Sequence, residues 1–210
     1  MSMKHFYKVI FAAVLLCAVQ IISLANPRAV FFGDSITYNW GRYRGTAFFT
    51  ENNFLCKGIG GETTGNMLKR FSRDVLDNNP QVVAILAGTN DIAQNDGVYV
   101  TAEQISTNIF YMAKMAQEKG IKVILCSVLP SSGYKWSSNT TPAVSVPQLN
   151  TLIEEWAANN GCEYVDYFSL FVQADGALDP KFSGDNCHPN TEGYYIMEQA
   201  IMPILESMLN

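Results

Sequence analysis

Residues 29–37 read AVFFGDSIT, four apolar residues followed by a glycine and a polar turn that leads into a helical pattern. Further apolar runs lie at residues 53–57, 82–87, 123–128 and 164–166. Strands that are apolar at successive positions are buried on both faces, as in parallel sheets. Helical segments lie between these runs, so the sequence predicts an α/β fold, a three-layer αβα sandwich around a five-stranded parallel sheet.

The longer segments between and after these strands carry the amphipathic spacing of helices. They cover residues 63–76, 101–119, 146–160 and 191–209. Thr101 and Gln104 form a capping-box pattern at the start of the second segment. Pro203 lies inside the last segment, where it predicts a kink or a break.

The first 25 residues have the pattern of an export signal. A short basic region precedes an almost wholly apolar run at residues 9–24, and Ser23 and Ala25 are small residues at the positions that signal peptidase reads. The run has about 16 residues, short of the roughly 20 that span a bilayer. We therefore expect a cleaved signal peptide at 1–25, a mature domain at 26–210, and a periplasmic or secreted protein. An uncleaved membrane anchor is the alternative.

Composition narrows the possible partners. The chain has 14 Lys and Arg residues against 19 Asp and Glu residues, with a net charge of -5, and no basic stretch, so we expect no nucleic-acid partner. No CxxC pair or His cluster occurs, so we expect no metal. Export would permit disulfides among the four cysteines after residue 25, with the pairing left open. These are Cys56, Cys126, Cys162 and Cys187.

Ser35 follows the first strand at the edge of the sheet where ligands bind in parallel α/β folds. Gly33 permits a sharp turn there, and Ser35 falls at the start of the next helix. Its hydroxyl is then exposed, and its backbone N–H belongs to the helix's first turn, where it can stabilise an oxyanion. A helix cap formed by Ser35 or Asp34 is the alternative.

The second and third strands also lead into polar turns. The second is followed by GIGGETT at residues 58–64 and the third by GTND at residues 88–91. Backbone N–H groups of a glycine-rich turn before a helix can line an anion site, and glycine lets a substrate approach closely. The side-chain amide of Asn90 could donate to the same oxyanion. Ordinary turns are the alternative for both.

A late loop, GDNCHPN at residues 184–190, holds the only histidine that follows residue 25. Asp185 precedes His188 by three residues, so its carboxylate can reach the imidazole Nδ1. It would then orient the ring and stabilise the imidazolium once His188 takes a proton. A surface turn with an exposed histidine is the alternative.

Together, these four motifs occur in the order and spacing of the SGNH or GDSL hydrolase family. The chain resembles that family from Val30 to about Met202, and it looks most like compact bacterial esterases similar to platelet-activating factor acetylhydrolase catalytic subunits. The resemblance implies a flavodoxin-like fold and hydrolysis of carboxylic esters without a metal or organic cofactor.

The family's motifs assign roles by position. Ser35 matches the nucleophile, His188 the general base and later the acid, and Asp185 the residue that orients it. The implied oxyanion hole comprises the Ser35 N–H, the Gly61 N–H and the Asn90 amide. Gly61 matches the family glycine because it directly precedes an acidic residue and a threonine.

Three further residues of these motifs have expected roles outside the triad and the oxyanion hole. Asp34 and Asp91 are interpreted as structural, holding their loops by hydrogen bonds. Cys187 stands before His188 where family members commonly carry an apolar residue, which raises the hypothesis of a disulfide to another loop.

The substrate is less closely defined. Residues 129–146 form a long loop after the fourth strand, where Tyr134 and Trp136 could stack against a sugar or an acyl chain or could pack on the loop itself. A short chain has few insertions for a deep acyl tunnel, so we expect small acyl groups such as acetyl on carbohydrate. The alternatives are a lysophospholipase or thioesterase acting on longer chains, and a non-catalytic exported binding protein. After cleavage no stable membrane insertion is expected, and the oligomeric state is open.

Overall fold

The computed structural model describes residues 26–210, and the predicted signal peptide lies outside this part of the chain. One five-stranded sheet has the strand order β2-β1-β3-β4-β5, and every pairing in it is parallel. The strands are β1 (Ala29–Gly33), β2 (Phe54–Gly58), β3 (Val82–Leu86), β4 (Lys122–Cys126) and β5 (Glu163–Val165). The predicted five-stranded parallel sheet is therefore confirmed for the described residues.

Helices cover both faces of the sheet. They are α1 (Ser35–Arg44), α2 (Ala47–Glu51), α3 (Thr64–Asp74), α4 (Thr89–Ile92), α5 (Ala102–Glu118), α6 (Pro142–Asn159), α7 (Phe168–Phe171) and α8 (Thr191–Leu209), with a 3₁₀ turn at Leu76–Asn78. Buried residues of α3, α5 and α6 pack on one face, and those of α1, α2 and α8 pack on the other. This arrangement is the predicted three-layer sandwich.

A hydrophobic core lies on each face of the sheet, because successive side chains of a strand point to opposite faces. Phe32 of β1 faces α3, where its ring lies 5.2 Å from that of Phe71. Phe31 faces the opposite layer, 5.3 Å from the ring of Trp40 in α1. All residues of β1 and β3 are buried, which explains why these strands are apolar at successive positions.

Two helices differ from their predicted form. Helix α6 begins at Pro142 rather than at residue 146, because a proline in the first helical turn needs no N–H partner and has a helical φ already. The loop predicted at 129–146 therefore ends at Thr141. Pro203 does not interrupt α8, whose buried residues Ile201 and Leu205 hold the helix on the sheet on either side of it.

The four cysteines of the described part are free. Cys187 is buried among apolar residues that include Tyr134, so the hypothesis of a disulfide at this position does not agree with its packing. Within residues 26–210, no group of three or more His, Cys, Asp or Glu side chains is placed to hold a metal ion. No helix in this part is both long enough and apolar enough to cross a membrane.

Candidate active site

Ser35 is placed by the tight turn between β1 and α1. A Cβ on Gly33 would lie 2.7 Å from the Leu86 carbonyl oxygen and would also clash with the Thr37 hydroxyl, so glycine is needed where the chain turns into the helix. Asp34 caps the helix, because its Oδ1 accepts the Ile36 N–H at 2.9 Å. Ser35 is the first residue of α1, and its N–H belongs to the first-turn donors that have no acceptor within the helix.

The late loop brings His188 and Asp185 to Ser35 across a large separation in sequence. Ser35 Oγ lies 2.9 Å from His188 Nε2. On the other side of the imidazole, His188 Nδ1 lies 2.8 Å from Asp185 Oδ2. The predicted serine, histidine and aspartate thus form a continuous hydrogen-bonded chain, the arrangement in which an imidazole can take a proton from a serine hydroxyl.

The second oxygen of Asp185 is held by its own loop. Oδ1 accepts the backbone N–H groups of Cys187 at 3.0 Å and His188 at 2.8 Å, and the Ser183 hydroxyl at 3.1 Å. Partial burial acts to raise the pKa of Asp185, but hydrogen bonds from the backbone and ring of His188 outweigh it and hold the pKa below its ordinary value. An ionised Asp185 accepts a hydrogen bond from the Nδ1–H group, which leaves the Nε2 lone pair facing Ser35.

The glycine-rich turn after β2 borders Ser35. A Cβ built on Gly60 would lie 3.8 Å from Ser35 Cβ, so the turn passes directly beside the serine. Gly61 is exposed and has a φ of +79°, a conformation that glycine adopts without strain. The structure therefore places the predicted oxyanion glycine in the turn next to Ser35.

Asn90 is buried where the ends of β1, β2 and β3 meet. Its Nδ2 donates to the Glu62 carbonyl at 3.0 Å and to Asp34 Oδ2 at 3.3 Å. Its Oδ1 accepts from Asn95 Nδ2 at 2.7 Å. The amide thus lies beside the residue that precedes Ser35, with its N–H groups facing acceptors.

Asp34 and Asp91 hold the loops that they were predicted to hold. Burial raises the pKa of Asp34 to about 7, although the Ile36 N–H and the charge of His188 act in the opposite direction. Asp91 accepts the Thr64 N–H at 2.9 Å and the Thr64 hydroxyl at 2.6 Å, which ties the loop after β3 to the start of α3.

The two aromatic residues of the loop after β4 have different environments. Trp136 is 48% exposed and its ring centroid lies 6.3 Å from that of His188, so an exposed aromatic side chain lies beside the imidazole. Tyr134 is buried and stacks on Trp136 with ring centroids 5.1 Å apart. Tyr134 therefore supports the tryptophan from below, which corresponds to the packing alternative for this residue.

Arg70, which the sequence analysis did not single out, braces the same region from α3. Its guanidinium donates to the Gly33 and Lys57 carbonyls, each at 2.9 Å, and pairs with Glu62 and Asp74. One buried side chain thereby joins the ends of β1 and β2 to the glycine-rich turn. The signal in the sequence is that Arg70 and Asp74 lie four residues apart, which is the spacing of an ion pair on one face of a helix.

A model of the GDSL-like lipase/acylhydrolase family matches residues 31–196. The chain belongs to this family. The match spans β1 to the first part of α8 and includes every motif of the candidate site. The described fold and the predicted enzyme class, a GDSL-type ester hydrolase, therefore agree with the family.

Two proteins similar in sequence to this GDSL-family chain come from different organisms and have different names. The human platelet-activating factor acetylhydrolase IB subunit alpha2 is 28% identical over 189 residues, which cover 86% of this chain and 79% of the relative. A Bacillus subtilis protein named as the uncharacterized lipoprotein YqeF is 31% identical over 143 residues. That match covers 61% of this chain and 58% of the length of the lipoprotein.

Solved structures show how widely this GDSL-family fold is shared. A GDSL-like lipase from Bacteroides thetaiotaomicron has a TM-score of 0.83 and 37% identity, with 94% of this chain and 98% of that chain covered. An acetylxylan esterase from Geobacillus stearothermophilus has a TM-score of 0.68 and 16% identity, with 86% and 94% covered. At that identity the second likeness concerns the fold alone.

Proposed function

We propose that this GDSL-family acylhydrolase is an exported serine esterase in which Ser35 is the nucleophile and His188 the general base. Asp185 orients His188, and the oxyanion is held by the Ser35 N–H, the Gly61 N–H and the Asn90 amide, which exchanges its 3.3 Å hydrogen bond to Asp34 Oδ2 for the oxyanion. The observation that carries the proposal is the continuous pair of hydrogen bonds, 2.9 Å from Ser35 Oγ to His188 Nε2 and 2.8 Å from His188 Nδ1 to Asp185 Oδ2.

Acylation begins when Ser35 Oγ attacks the carbonyl carbon of the ester and its proton passes to His188 Nε2. The ionised carboxylate of Asp185 stabilises the resulting imidazolium. Negative charge develops on the carbonyl oxygen, where the three donors receive it. Each such donor typically contributes roughly 3 kcal/mol to transition-state stabilisation.

The tetrahedral intermediate then collapses. The bond between the carbonyl carbon and the alcohol oxygen breaks, and the alcohol leaves with the proton from His188. Water attacks the acyl-serine in the same way, giving its proton to His188, and the carboxylic acid is released as Ser35 Oγ recovers a proton. None of these steps calls for a metal or an organic cofactor.

For the substrate, we infer a small acyl group, acetyl above all, carried on a carbohydrate. The exposed ring of Trp136 beside His188 supports this inference, because a flat aromatic face can pack against a sugar ring at the reacting centre. The fold shared with the Geobacillus acetylxylan esterase is compatible with the same substrate class.

Export is part of the proposal and has its own support. The first 25 residues combine a basic start, an apolar run and small residues before the expected cleavage position. The similar Bacillus subtilis protein is named as a lipoprotein, which is a class of exported protein. Sequencing the N-terminus of the native protein tests this point, since cleavage predicts a start at Asn26 and a retained anchor predicts a start near Met1.

The catalytic proposal is tested with p-nitrophenyl acetate, butyrate, octanoate and dodecanoate, and with an acetylated xylo-oligosaccharide. We expect the wild-type protein to hydrolyse the acetyl esters best and Ser35→Ala to be inactive on all of them. Rates that rise with acyl length would favour a lysophospholipase or thioesterase. Equal activity of wild type and Ser35→Ala would contradict the nucleophile, and inactivity of both on every ester would favour a binding protein.

A further inference from the structure

Asn95 joins the exposed tryptophan of the active-site loop to the buried amide of Asn90. The Trp136 indole N–H donates to Asn95 Oδ1 at 2.9 Å. Asn95 Nδ2 then donates to Asn90 Oδ1 at 2.7 Å. Asn95 follows α4 on an exposed segment, and its own N–H donates to the Asn90 carbonyl at 3.0 Å, so the two residues are fixed relative to one another.

The Trp136 indole N–H is the first donor in this series of hydrogen bonds, and it determines the direction of all the others. An indole N–H can only donate, so the atom of Asn95 that faces Trp136 must be the amide oxygen. The amide nitrogen of Asn95 therefore faces Asn90, and the atom of Asn90 that receives it must also be an oxygen. The nitrogen of Asn90 then faces the other way, toward the acceptors beside Ser35.

At the other end of the hydrogen-bond series, near Ser35, the partners of Asn90 fix the same direction independently. Asn90 Nδ2 meets the Glu62 carbonyl and the carboxylate of Asp34, which are both acceptors. Asn95 Nδ2 also lies 3.4 Å from the Gly61 carbonyl, on the turn that holds the predicted oxyanion glycine. A hydrogen-bond series with consistent donors and acceptors holds the Asn90 amide in one orientation and polarises its N–H groups.

The loop that carries Trp136 is bonded to the loop that carries His188. Asn186 Nδ2 donates to Ser132 Oγ at 3.0 Å and to the Gly133 carbonyl at 3.1 Å. The loop with the tryptophan and the loop with the general base are therefore connected directly. The indole N–H reaches Asn95 from a position that is fixed with respect to His188.

We propose that Asn95 is a positioning residue for ester hydrolysis, which holds the Asn90 amide with its nitrogen toward the oxyanion and takes its own orientation from the Trp136 indole. The inference rests on the proposed function, because it requires that Asn90 donates to the oxyanion. Asn95 itself touches neither the ester nor Ser35. Its loss should reduce kcat and leave KM for a small ester nearly unchanged.

The test compares Asn95→Ala, Asn95→Asp and Trp136→Phe with the wild-type protein, using p-nitrophenyl acetate. Asn66→Ala is the matched control, because Asn66 is a nearby partly exposed asparagine that bonds Thr63 and Asp96 rather than Asn90. Asn90→Ala and Ser35→Ala report on the proposed function. The kcat, the KM and the midpoint of thermal unfolding are measured for each.

We expect Asn95→Ala to lower kcat about tenfold, the effect of losing one hydrogen bond of ordinary strength. Asn95→Asp should lower kcat further, about a hundredfold, because its carboxylate accepts from Trp136 but meets the Asn90 oxygen with no proton to donate. Trp136→Phe keeps an aromatic ring but removes the N–H donor together with part of the indole, so a loss of about threefold in kcat is expected. Asn66→Ala should match the wild type.

The pH profile separates positioning from a structural role. Protonation of the introduced carboxyl restores a donor, so the ratio of wild-type to Asn95→Asp activity should fall as pH falls toward 4. If Asn90→Ala loses activity while both Asn95 variants retain it, the inference is overturned and the proposed function stands. If Asn95→Asp is no worse than Asn95→Ala and their ratio is independent of pH, the inference is also overturned. Full activity of Asn90→Ala would instead refute the oxyanion role on which it rests.

Discussion

Replacement of Asp185 by asparagine should be more damaging than its replacement by alanine. Oδ1 of Asp185 accepts the backbone N–H groups of Cys187 and His188, so an asparagine in this position would keep its oxygen there. Its NH₂ group would then face His188 Nδ1. That nitrogen would have to accept rather than donate, which moves the ring proton to Nε2, where it blocks proton transfer from Ser35.

The magnitude follows from two contributions. A charge pair about 4 Å apart near a protein surface is worth about 4 kcal/mol, which we halve to about 2 because the Asp185 side chain is 40% exposed. Forcing the wrong tautomer adds about 2 kcal/mol, the cost of two donors that face one another. At about 1.4 kcal/mol per tenfold, Asp185→Asn should lower kcat about a thousandfold and Asp185→Ala about thirtyfold.

Steady-state hydrolysis of p-nitrophenyl acetate at pH 7 to 8 measures both variants. Asp179→Asn is the matched control, because Asp179 lies just before the same loop and caps the Lys181 N–H rather than His188. It should retain wild-type activity, and all variants should unfold at similar temperatures. A smaller loss for Asp185→Asn than for Asp185→Ala would refute the reasoning about the tautomer, and wild-type activity in both would refute the role of Asp185.

Three further changes should give distinct results. Gly61→Ala places a side chain at a φ of +79°, which costs about 1–2 kcal/mol, so kcat should fall. Gly97→Ala, at a φ of +74°, should keep full activity in the same esterase assay. Equal activities of the two variants would contradict the oxyanion role of the turn. Burial raises the pKa of Asp34 from 3.8 to about 7, so between these pH values the folded protein keeps a proton that the unfolded chain loses. The free energy of unfolding in urea should therefore fall from pH 4 to 7, and more steeply than in Asp34→Asn. Equal slopes in the two proteins would contradict this. Arg70→Met removes a buried charge from paired carboxylates and should cost about 3–5 kcal/mol in urea unfolding. Arg73→Met, at an exposed arginine that pairs with the same Asp74, should cost much less. Similar losses in the two variants would contradict the bracing role of Arg70.

The sequence was most informative where local pattern and function coincide. Apolar runs that end in glycine or in a polar turn predicted the strands, and a parallel sheet requires their carboxyl ends to lie at one edge. The strand order puts β1 between β2 and β3, so Ser35, Gly61 and Asn90 follow three adjacent strands. Their proximity therefore follows from the topology and needs no knowledge of individual contacts.

The active-site loop was less predictable because its contacts are not periodic. Tyr134 and Trp136 are both aromatic and only two residues apart, yet one is buried and the other is 48% exposed. The start of α6 was missed although Pro142 after Thr141 is a pattern that suits the first turn of a helix. The β-branched Val144 weakens the helical pattern before residue 146.

Asn95 shows a different limit of sequence reasoning. It is an exposed asparagine in a polar segment, where turn formation is the ordinary explanation. The proposed role of Asn95 depends on a hydrogen bond from the indole N–H of Trp136, which lies 41 residues further along the chain. Contacts of this kind depend on the packing of one loop against another, which no local pattern encodes.

The approach of His188 to Ser35 depends on helix α8, since the loop that carries the histidine leads directly into it. Buried hydrogen bonds join α8 to α1: the Tyr194 hydroxyl donates to the Ile36 carbonyl at 2.7 Å, and the Trp40 indole donates to Glu198 at 3.0 Å. Ile36 is the neighbour of Ser35, so the helix that follows the histidine is attached beside the nucleophile. Because these groups are buried, breaking either bond leaves a polar atom without a partner, and the two helices are held in one relative position. The packing of α8 against α1 thus contributes, together with the loop, to the distance from Ser35 Oγ to His188 Nε2.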